Sequence, residues 1–262
     1  MPTSWIVQDN LPKSQSAWRI RSACEKLGLP FYPINVTARS TEPPPMPDIV
    51  GPFVLHGGTT FIVHALKDNR WRPGLFFDPA RFRHSQYAQH YGPLLLNETA
   101  SIRTWDSLLH EVGSDHEQFF LKPNDDLKHF TGAVMSRGQL KKMDSEMHRS
   151  GVPLDPATEI VVAGPVEVDA EWRLFLVDGR VVSGSMYRPT AEPALPEEAV
   201  QLAERAAQRW APAPVFVMDV ARANGAWKIV ECNCFNGSGF YVADVERVIS
   251  AVSNYQLHHT KS

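Results

Sequence analysis

Along the 262-residue chain the apolar positions alternate between two periods, and the changes of period outline the elements. Trp5 to Val7 reads as a short strand. Ala17, Ile20, Cys24 and Leu27 then recur at helical spacing until Gly28, which stops the helix. Phe31 to Val36 returns to strand, so the chain opens as β-α-β, the unit of a parallel sheet with a right-handed crossover. Prolines make Thr41 to Pro47 a loop. Phe53 to Leu55 is a third strand running into His56-Gly57-Gly58-Thr59-Thr60, which is either a ligand-binding loop at the strand ends of an open α/β sheet or a plain turn. Arg70 to Tyr91 is rich in aromatic and basic residues without clean periodicity and reads as irregular.

A boundary is expected near Pro93 to Asn97. Beyond it Trp105, Leu108, Leu109 and Val112 fit an amphipathic helix, Phe119 to Lys122 a strand, and Pro123 to Gly132 a polar loop. Leu140, Met143 and Met147 mark a helix ending near Gly151, and Glu159 to Val162 is a short apolar strand. Glu171 to Tyr187 is a hairpin turning at Asp178-Gly179, and Val200, Ala203, Ala207 and Trp210 define another helix. Val215 to Tyr241 holds a second hairpin, around Asn224-Gly225, and a Gly/Ser-rich loop. Val242, Val245, Ile249 and Val252 form one side of a last helix. The pattern predicts an α/β protein, with an N-terminal parallel-sheet domain over 1–95 and an α+β domain over 96–262.

The second hairpin carries the densest chemistry. Val215, Phe216, Val217, Met218 and Val220 make its first strand apolar on both faces, as in a buried strand, so Asp219 needs a partner or a cation. The second strand ends in Glu231 and Asn233, two residues apart and therefore on one face. A carboxylate beside an amide oxygen suits a hard cation such as Mg²⁺. With Asn224-Gly225 as a two-residue turn and a regular ladder, Asp219 falls opposite Val230 and faces away from Glu231. A three-residue loop, Ala223-Asn224-Gly225 with Gly225 left-handed in a bulge, sets Asp219 opposite Ile229, on the face of Glu231 and Asn233. We expect the second register. The alternative is that Asp219 and Glu231 are ordinary polar residues on a solvated face.

Lys122 sits among Phe119, Phe120 and Leu121, one residue before a proline, so its ammonium either meets an anion such as a phosphate or snorkels from a strand end. Lys128 shares a loop with Thr131-Gly132, where glycine lets backbone amides approach a phosphate, although no GxxxxGK[ST] loop occurs. The Asp178-Gly179 turn pairs Val177 with Arg180 and gathers Glu171, Arg173, Phe175, Val182 and, if the strand continues, Arg188 on one face. Such arginines suit phosphate or carboxylate oxygens, with Glu171 orienting one of them; the alternative is a surface ion-pair row. Trp172, Leu174, Leu176 and Tyr187 on the other face read as core. Asn236-Gly237-Ser238-Gly239 either offers backbone amides to a carboxylate or phosphoryl group or is a flexible turn.

A net charge of −3 with scattered Lys and Arg gives no electrostatic footprint for nucleic acid. No apolar run approaches the ~20 residues of a membrane span, and Met1 to Asn10 lacks a basic start and apolar signal core, so a cytoplasmic protein without a membrane partner is expected. Cys24, Cys232 and Cys234 cannot all pair and read as reduced thiols; Cys232-x-Cys234 lacks the spacing and second ligand pair of a zinc site.

The order of these features resembles the ATP-grasp superfamily of ligases over about Asn97 to Ala251. The similarity lies in FLKP with Lys122, the polar loop with Gly132, EIVV from Glu159, EWRLFLVDG with Arg173, and MDV followed by IVECN with Asp219, Glu231 and Asn233. The EWR-to-YR hairpin and the ECNCFNGSGFY ending look like a divergent, poorly characterised clade of phage and bacterial genomes. The resemblance implies a β-α-β domain before two α+β subdomains that clamp ATP. Lys122, with Glu159 and the backbone near Val161 and Val162, would then meet the α-phosphate and adenine edge. Lys128, Gly132, Glu171, Arg173 and Arg188 would lie at the phosphates, and Asp219, Glu231 and Asn233 would bind Mg²⁺. Gly58, Thr59, Asn236, Ser238 and Gly239 would meet substrate. The implied activity is an ATP- and Mg²⁺-dependent carboxylate–amine ligase, working through an acyl phosphate on an amino acid, peptide or protein terminus. A phosphotransferase or a nucleotide-binding module without turnover are the rival readings.

Overall fold

The structure, a computed structural model, describes residues 1–262 except 13–14, 38–39, 41, 189–193 and 260–262, and it does not describe the Arg188 side chain. Three strands, β1 (Ser4–Gln8), β2 (Phe31–Ile34) and β3 (Phe53–His56), form a parallel sheet in the order β2-β1-β3. Between β1 and β2 runs α1 (Ser16–Leu27), which ends as expected at left-handed Gly28 with φ 66°. After β3 comes α2 (Thr59–Lys67), and Gly57 between them has no room for a Cβ, which would lie 2.7 Å from the Phe61 ring and 2.8 Å from Gln8. The chain then forms α3 (His84–Tyr91).

A small antiparallel sheet follows, built from β4 (Ser101–Thr104), α4 (Trp105–His110), β5 (Gln118–Pro123), β6 (Ala133–Ser136), α5 (Arg137–Arg149) and β7 (Glu159–Ala163), in the order β4-β7-β5-β6. A capping box starts α5: Ser136 Oγ accepts from the Gln139 N–H while Gln139 Oε1 accepts from the Ser136 N–H. Val112, expected inside a helix, is 98% exposed because α4 stops at His110. The larger antiparallel sheet holds β8 (Ala170–Val177), β9 (Arg180–Arg188), β10 (Val215–Ala223) and β11 (Ala226–Cys234), in the order β11-β10-β8-β9, with α6 (Glu197–Arg209) between its hairpins. The closing helix α7 (Val245–His259) excludes Val242, and α6 stops one residue before Trp210; both differ from expectation.

Both faces of the larger sheet are buried, as the doubly apolar β10 requires. Trp172, Leu174, Leu176, Phe216 and Met218 pack with α6 and with Phe77, Phe82, Tyr87 and Tyr91. Phe175, Val177, Val215 and Val217 pack against α7 and against Trp5, Val7 and Val54 of the parallel sheet. Residues 70–91 are therefore a packed layer containing a helix, and the aromatic-rich, aperiodic stretch is core. Among the described residues, no helix is long and apolar enough to cross a membrane.

The two hairpins correct the register expectations. Asn224 and Gly225, with φ of 50° and 75°, form a bare two-residue turn that pairs Ala223 with Ala226, so the three-residue loop is not formed. Asp219 still shares a face with Glu231, because the extra residue enters later: Val220 pairs with Ile229 but Asp219 with Glu231, leaving Val230 as a bulge. In the other hairpin Val177 pairs with Arg180 as expected, but two bulges follow. Phe175 faces Ser183 and Glu171 faces Arg188, so Val182 and Tyr187 are the extra residues. The second bulge takes Tyr187 out of the core position expected for it: the side chain is 41% exposed and stands beside Arg173.

Candidate active site between the two antiparallel sheets

Three carboxylates and three cations interlock in this cleft. At the end of β5, Lys122 Nζ donates to Glu231 Oε2 at 3.0 Å and to Tyr87 Oη at 2.8 Å. From the following loop Lys128, held with φ 58°, donates to Asp126 Oδ1 at 2.6 Å and to Asn233 Oδ1. Asp126 Oδ2 accepts the Cys234 N–H at 2.6 Å, tying the loop to β11. Arg173 on β8 donates through Nε and Nη2 to both oxygens of Asp219 on β10, at 2.9 and 2.7 Å. Its guanidinium also lies 5.3 Å from the ring centroids of Tyr187 and Tyr241, which meet edge to face. Asn233 closes the network, its Nδ2 donating to Asp219 Oδ2 at 3.1 Å and to Glu231 Oε1 at 3.0 Å.

Burial opposes ionisation of Glu231, yet Lys122 and Lys128, with hydrogen bonds from Lys122 and Asn233, overcome it and hold the carboxyl well below its usual range. Burial likewise works against the Arg173 and Lys128 charges, but Asp219 and Asp126 respectively outweigh it and raise both groups. For Asp126 burial prevails over Lys128 and the Cys234 N–H, so its carboxyl titrates above the usual range. Burial, helped by Lys122, pushes His84 down to about 3 and keeps it neutral. Cys232 and Cys234 lie on the opposite, core-facing side of β11, where burial raises both thiols.

Two cavities open here. One of about 340 Å³ is lined by Lys122, Asp126, Lys128, Arg173 and Glu231. The other, about 200 Å³, is lined by Asn97, Phe120, Gly132, Val166, Val168 and Tyr187. Gly132 lets the loop lie close to β5, since a Cβ there would sit 3.1 Å from Lys122 Cβ. A larger cavity of about 760 Å³ lies elsewhere, between Pro73–Arg81 and Ala207–Pro214, and its Arg81 is committed to the carbonyls of Ala211 and Pro212.

In sequence, residues 49–252 match the model of an ATP-grasp domain, the third family of its clade. The chain belongs to this ATP-grasp family. ATP-grasp proteins are mostly ATP-dependent carboxylate–amine ligases. No curated protein matches the chain in sequence. The fold is that of solved ATP-grasp proteins. It resembles a RimK domain protein of Sphaerobacter thermophilus with a TM-score of 0.62 at 13% identity, covering 97% of this chain and 99% of that one. The D-cycloserine synthetase DcsG gives 0.59 at 14% identity, covering 96% and 99%. The ligase PsnB with its minimal precursor gives 0.56 at 10% identity, covering all of both chains. PsnB has also been solved with Mg and ADP.

Within this ATP-grasp cleft the structure brings together Lys122, Lys128, Gly132, Glu171, Arg173, Asp219, Glu231, Asn233 and Gly239 of the expected set. The Arg188 backbone pairs with Glu171, and its side chain lies outside the described residues. Other members are engaged elsewhere. Val161 and Val162 lie in a central strand paired on both sides, with Ile102 and Ser101 and with Lys122 and Leu121, so their backbone groups are taken. The 200 Å³ cavity is instead lined by Val166 and Val168 of the connection after β7. Glu159 accepts from Asn124 Nδ2 at 2.7 Å and pairs with Arg83. Asn236 is fully buried, accepting from the Phe76 N–H and donating to the carbonyls of Leu55 and Gly74, which makes it a brace between layers. The Ser238 N–H and hydroxyl donate to the carbonyls of Phe235 and Cys234. Gly58 donates to Gln8 Oε1, and with Thr59 lines a separate cavity of about 470 Å³. Missing from the sequence reading were Asp126, Tyr87, Tyr187 and Tyr241. Only Asp126 carried a signal, as a second acid in a polar loop two residues before Lys128.

Proposed function

We propose that the protein is an ATP- and Mg²⁺-dependent carboxylate–amine ligase, acting through an acyl phosphate on an amino acid, peptide or protein terminus. The observation that carries this reading is the interlocked set Lys122–Glu231, Lys128–Asp126 and Arg173–Asp219 around Asn233. Its oxygen donors fit Mg²⁺: Asp219 Oδ2 and Glu231 Oε1 converge on one amide nitrogen of Asn233, the polarised N–H₂ lying between two anions. Among the described residues no three His, Cys, Asp or Glu side chains form a metal-holding group, so the third ligand is the Asn233 amide. Bound there, Mg²⁺ supplies charge neutralisation for phosphoryl transfer.

The rest falls to the chain itself. Lys122, Lys128 and Arg173 trade carboxylate partners for phosphate oxygens, and because their surroundings are already desolvated the exchange costs less than burying bare cations. The 200 Å³ cavity beside Val166 and Val168 takes the base. A substrate carboxylate oxygen attacks the γ-phosphorus and ADP leaves; the acceptor amine then attacks the acyl carbon and expels phosphate. Residues 124–132, tied down through Asp126 to Cys234, keep water from the acyl phosphate.

Calorimetric titration of ATP with and without Mg²⁺ tests the site. Binding is expected to need Mg²⁺ and to be lost in Lys122→Ala. Glu231→Gln should fold yet lose Mg²⁺-dependent turnover, and wild-type activity in that variant would remove the metal assignment. Hydroxylamine trapping of an acyl phosphate distinguishes the ligase from a phosphotransferase, while nucleotide binding without ADP release would leave only a binding module.

A further inference from the structure

Among the described residues, four exposed apolar or aromatic side chains adjoin the mouth of the cleft. Trp18 is 70% exposed, Val242 78%, Tyr241 51% and Tyr187 41%. Isolated surface hydrophobics are ordinary, but a contiguous group marks an interaction site. Continuity here is built in. Trp18 lies off the buried stripe of α1, which is Ala17, Ile20, Ala23 and Cys24. The next residue, Arg19, clasps the carbonyls of Tyr241 and Ala243, and Trp18 lines a shallow cavity of about 250 Å³ with Ala243 and Asp244. On the other side the segment is pinned to β9, Val242 N–H donating to Ser185 Oγ and Asp244 N–H to Ser183 Oγ. Tyr241, at φ 46°, meets Tyr187 edge to face, and both line the 340 Å³ cavity with Lys122, Lys128 and Arg173.

Resting on the proposed ligase reading, we infer that this rim seats a polypeptide: the substrate is a carboxylate-bearing peptide or protein segment, not a free amino acid. Apolar side chains upstream of the reacting carboxylate rest on Trp18 and Val242, and the chain passes over Tyr241 and Tyr187 into the cleft. Three observations favour this occupant. The track is continuous with the reaction cavity. Its ionic surroundings are mixed, Arg19 and Lys26 against Asp244 and Glu246, without the basic excess that an anionic membrane selects. Four side chains are also too small a patch for a stable dimer interface.

The test uses the full chain, wild type and Trp18→Ala/Val242→Ser, two surface positions outside the reacting groups. ATP-dependent hydroxamate formation is measured with a pool of synthetic octapeptides and with the twenty free amino acids, alongside calorimetry of Mg-ATP. The expected result is product from octapeptides and none from amino acids. The double variant should lower kcat/KM for the pool by about tenfold through KM, the scale of one lost apolar anchor, with the KM for ATP unchanged. Equal use of free amino acids, or an unchanged double variant, would overturn the rim while leaving the ligase reading intact. Absence of Mg-ATP binding in the wild type would overturn both.

Discussion

Replacing Asp219 by alanine tests whether buried ion pairs hold the cleft. The side chains of Arg173 and Asp219 are 8% and 3% exposed and joined by two short bonds. The change leaves a buried guanidinium whose remaining described neighbours include the Tyr187 and Tyr241 rings, contacts worth about 1 kcal/mol each and present before and after. It also removes one acceptor of the Asn233 amide. Breaking a buried pair from one side costs about 3–5 kcal/mol. At roughly 2–4 °C per kcal/mol for a chain of this size, Tm should fall by about 6–20 °C. Arg173→Met/Asp219→Leu removes both charges at similar volume, so it should cost less than the single change, with a coupling energy of about 3 kcal/mol. Urea unfolding of the four proteins, followed by circular dichroism, closes the cycle. A loss below about 1 kcal/mol in Asp219→Ala, or additivity in the double variant, would refute the claim that this pair is a mutually dependent buried unit.

Asn236→Ala orphans one N–H and two carbonyls in the core, so a loss of about 3 kcal/mol or more is expected in urea unfolding, and a near-neutral result would mean that Asn236 is no brace. His56, pushed by burial down to about 4 despite the Ser238 carbonyl, gives a pH dependence of definite sign. The unfolded imidazole takes its proton near 6.5, so stability is full above that pH and falls as pH drops towards 4, by about 3 kcal/mol from this group. Urea midpoints at about pH 7 and about pH 4.5 should differ less in His56→Gln than in the wild type; equal differences would exclude His56 as the source.

Local chemistry made much of the framework legible. Asn224-Gly225 and Asp178-Gly179 each place two consecutive residues at positive φ, a conformation that these dipeptides favour whatever surrounds them. Gly28 ended α1 for the same reason, and the doubly apolar run around Asp219 announced a buried strand with a carboxylate in need of a partner. The expectation that Asp219, Glu231 and Asn233 share a face was correct, although the turn expected to cause it was not the cause.

What alternation and turn chemistry cannot encode is where a ladder slips. The bulges at Val230, Val182 and Tyr187 depend on how both faces of the larger sheet pack, and one inserted residue reverses every side chain beyond it. Residues 70–91 showed no period because their aromatics fill gaps between layers set by other elements, and Tyr87 meets Lys122 only after that packing. The occupied edges of Val161, the brace made by Asn236 and the pairing of Asp126 with Lys128 are likewise contacts between segments distant in the chain or across a loop. The chemical identity of the site residues and the turns that bring their strands back were written in the sequence, because short-range sterics decide them. Which cation meets which carboxylate, and which polar group is used up in the core, was decided by tertiary packing, because only there are charges desolvated together and forced to find one another.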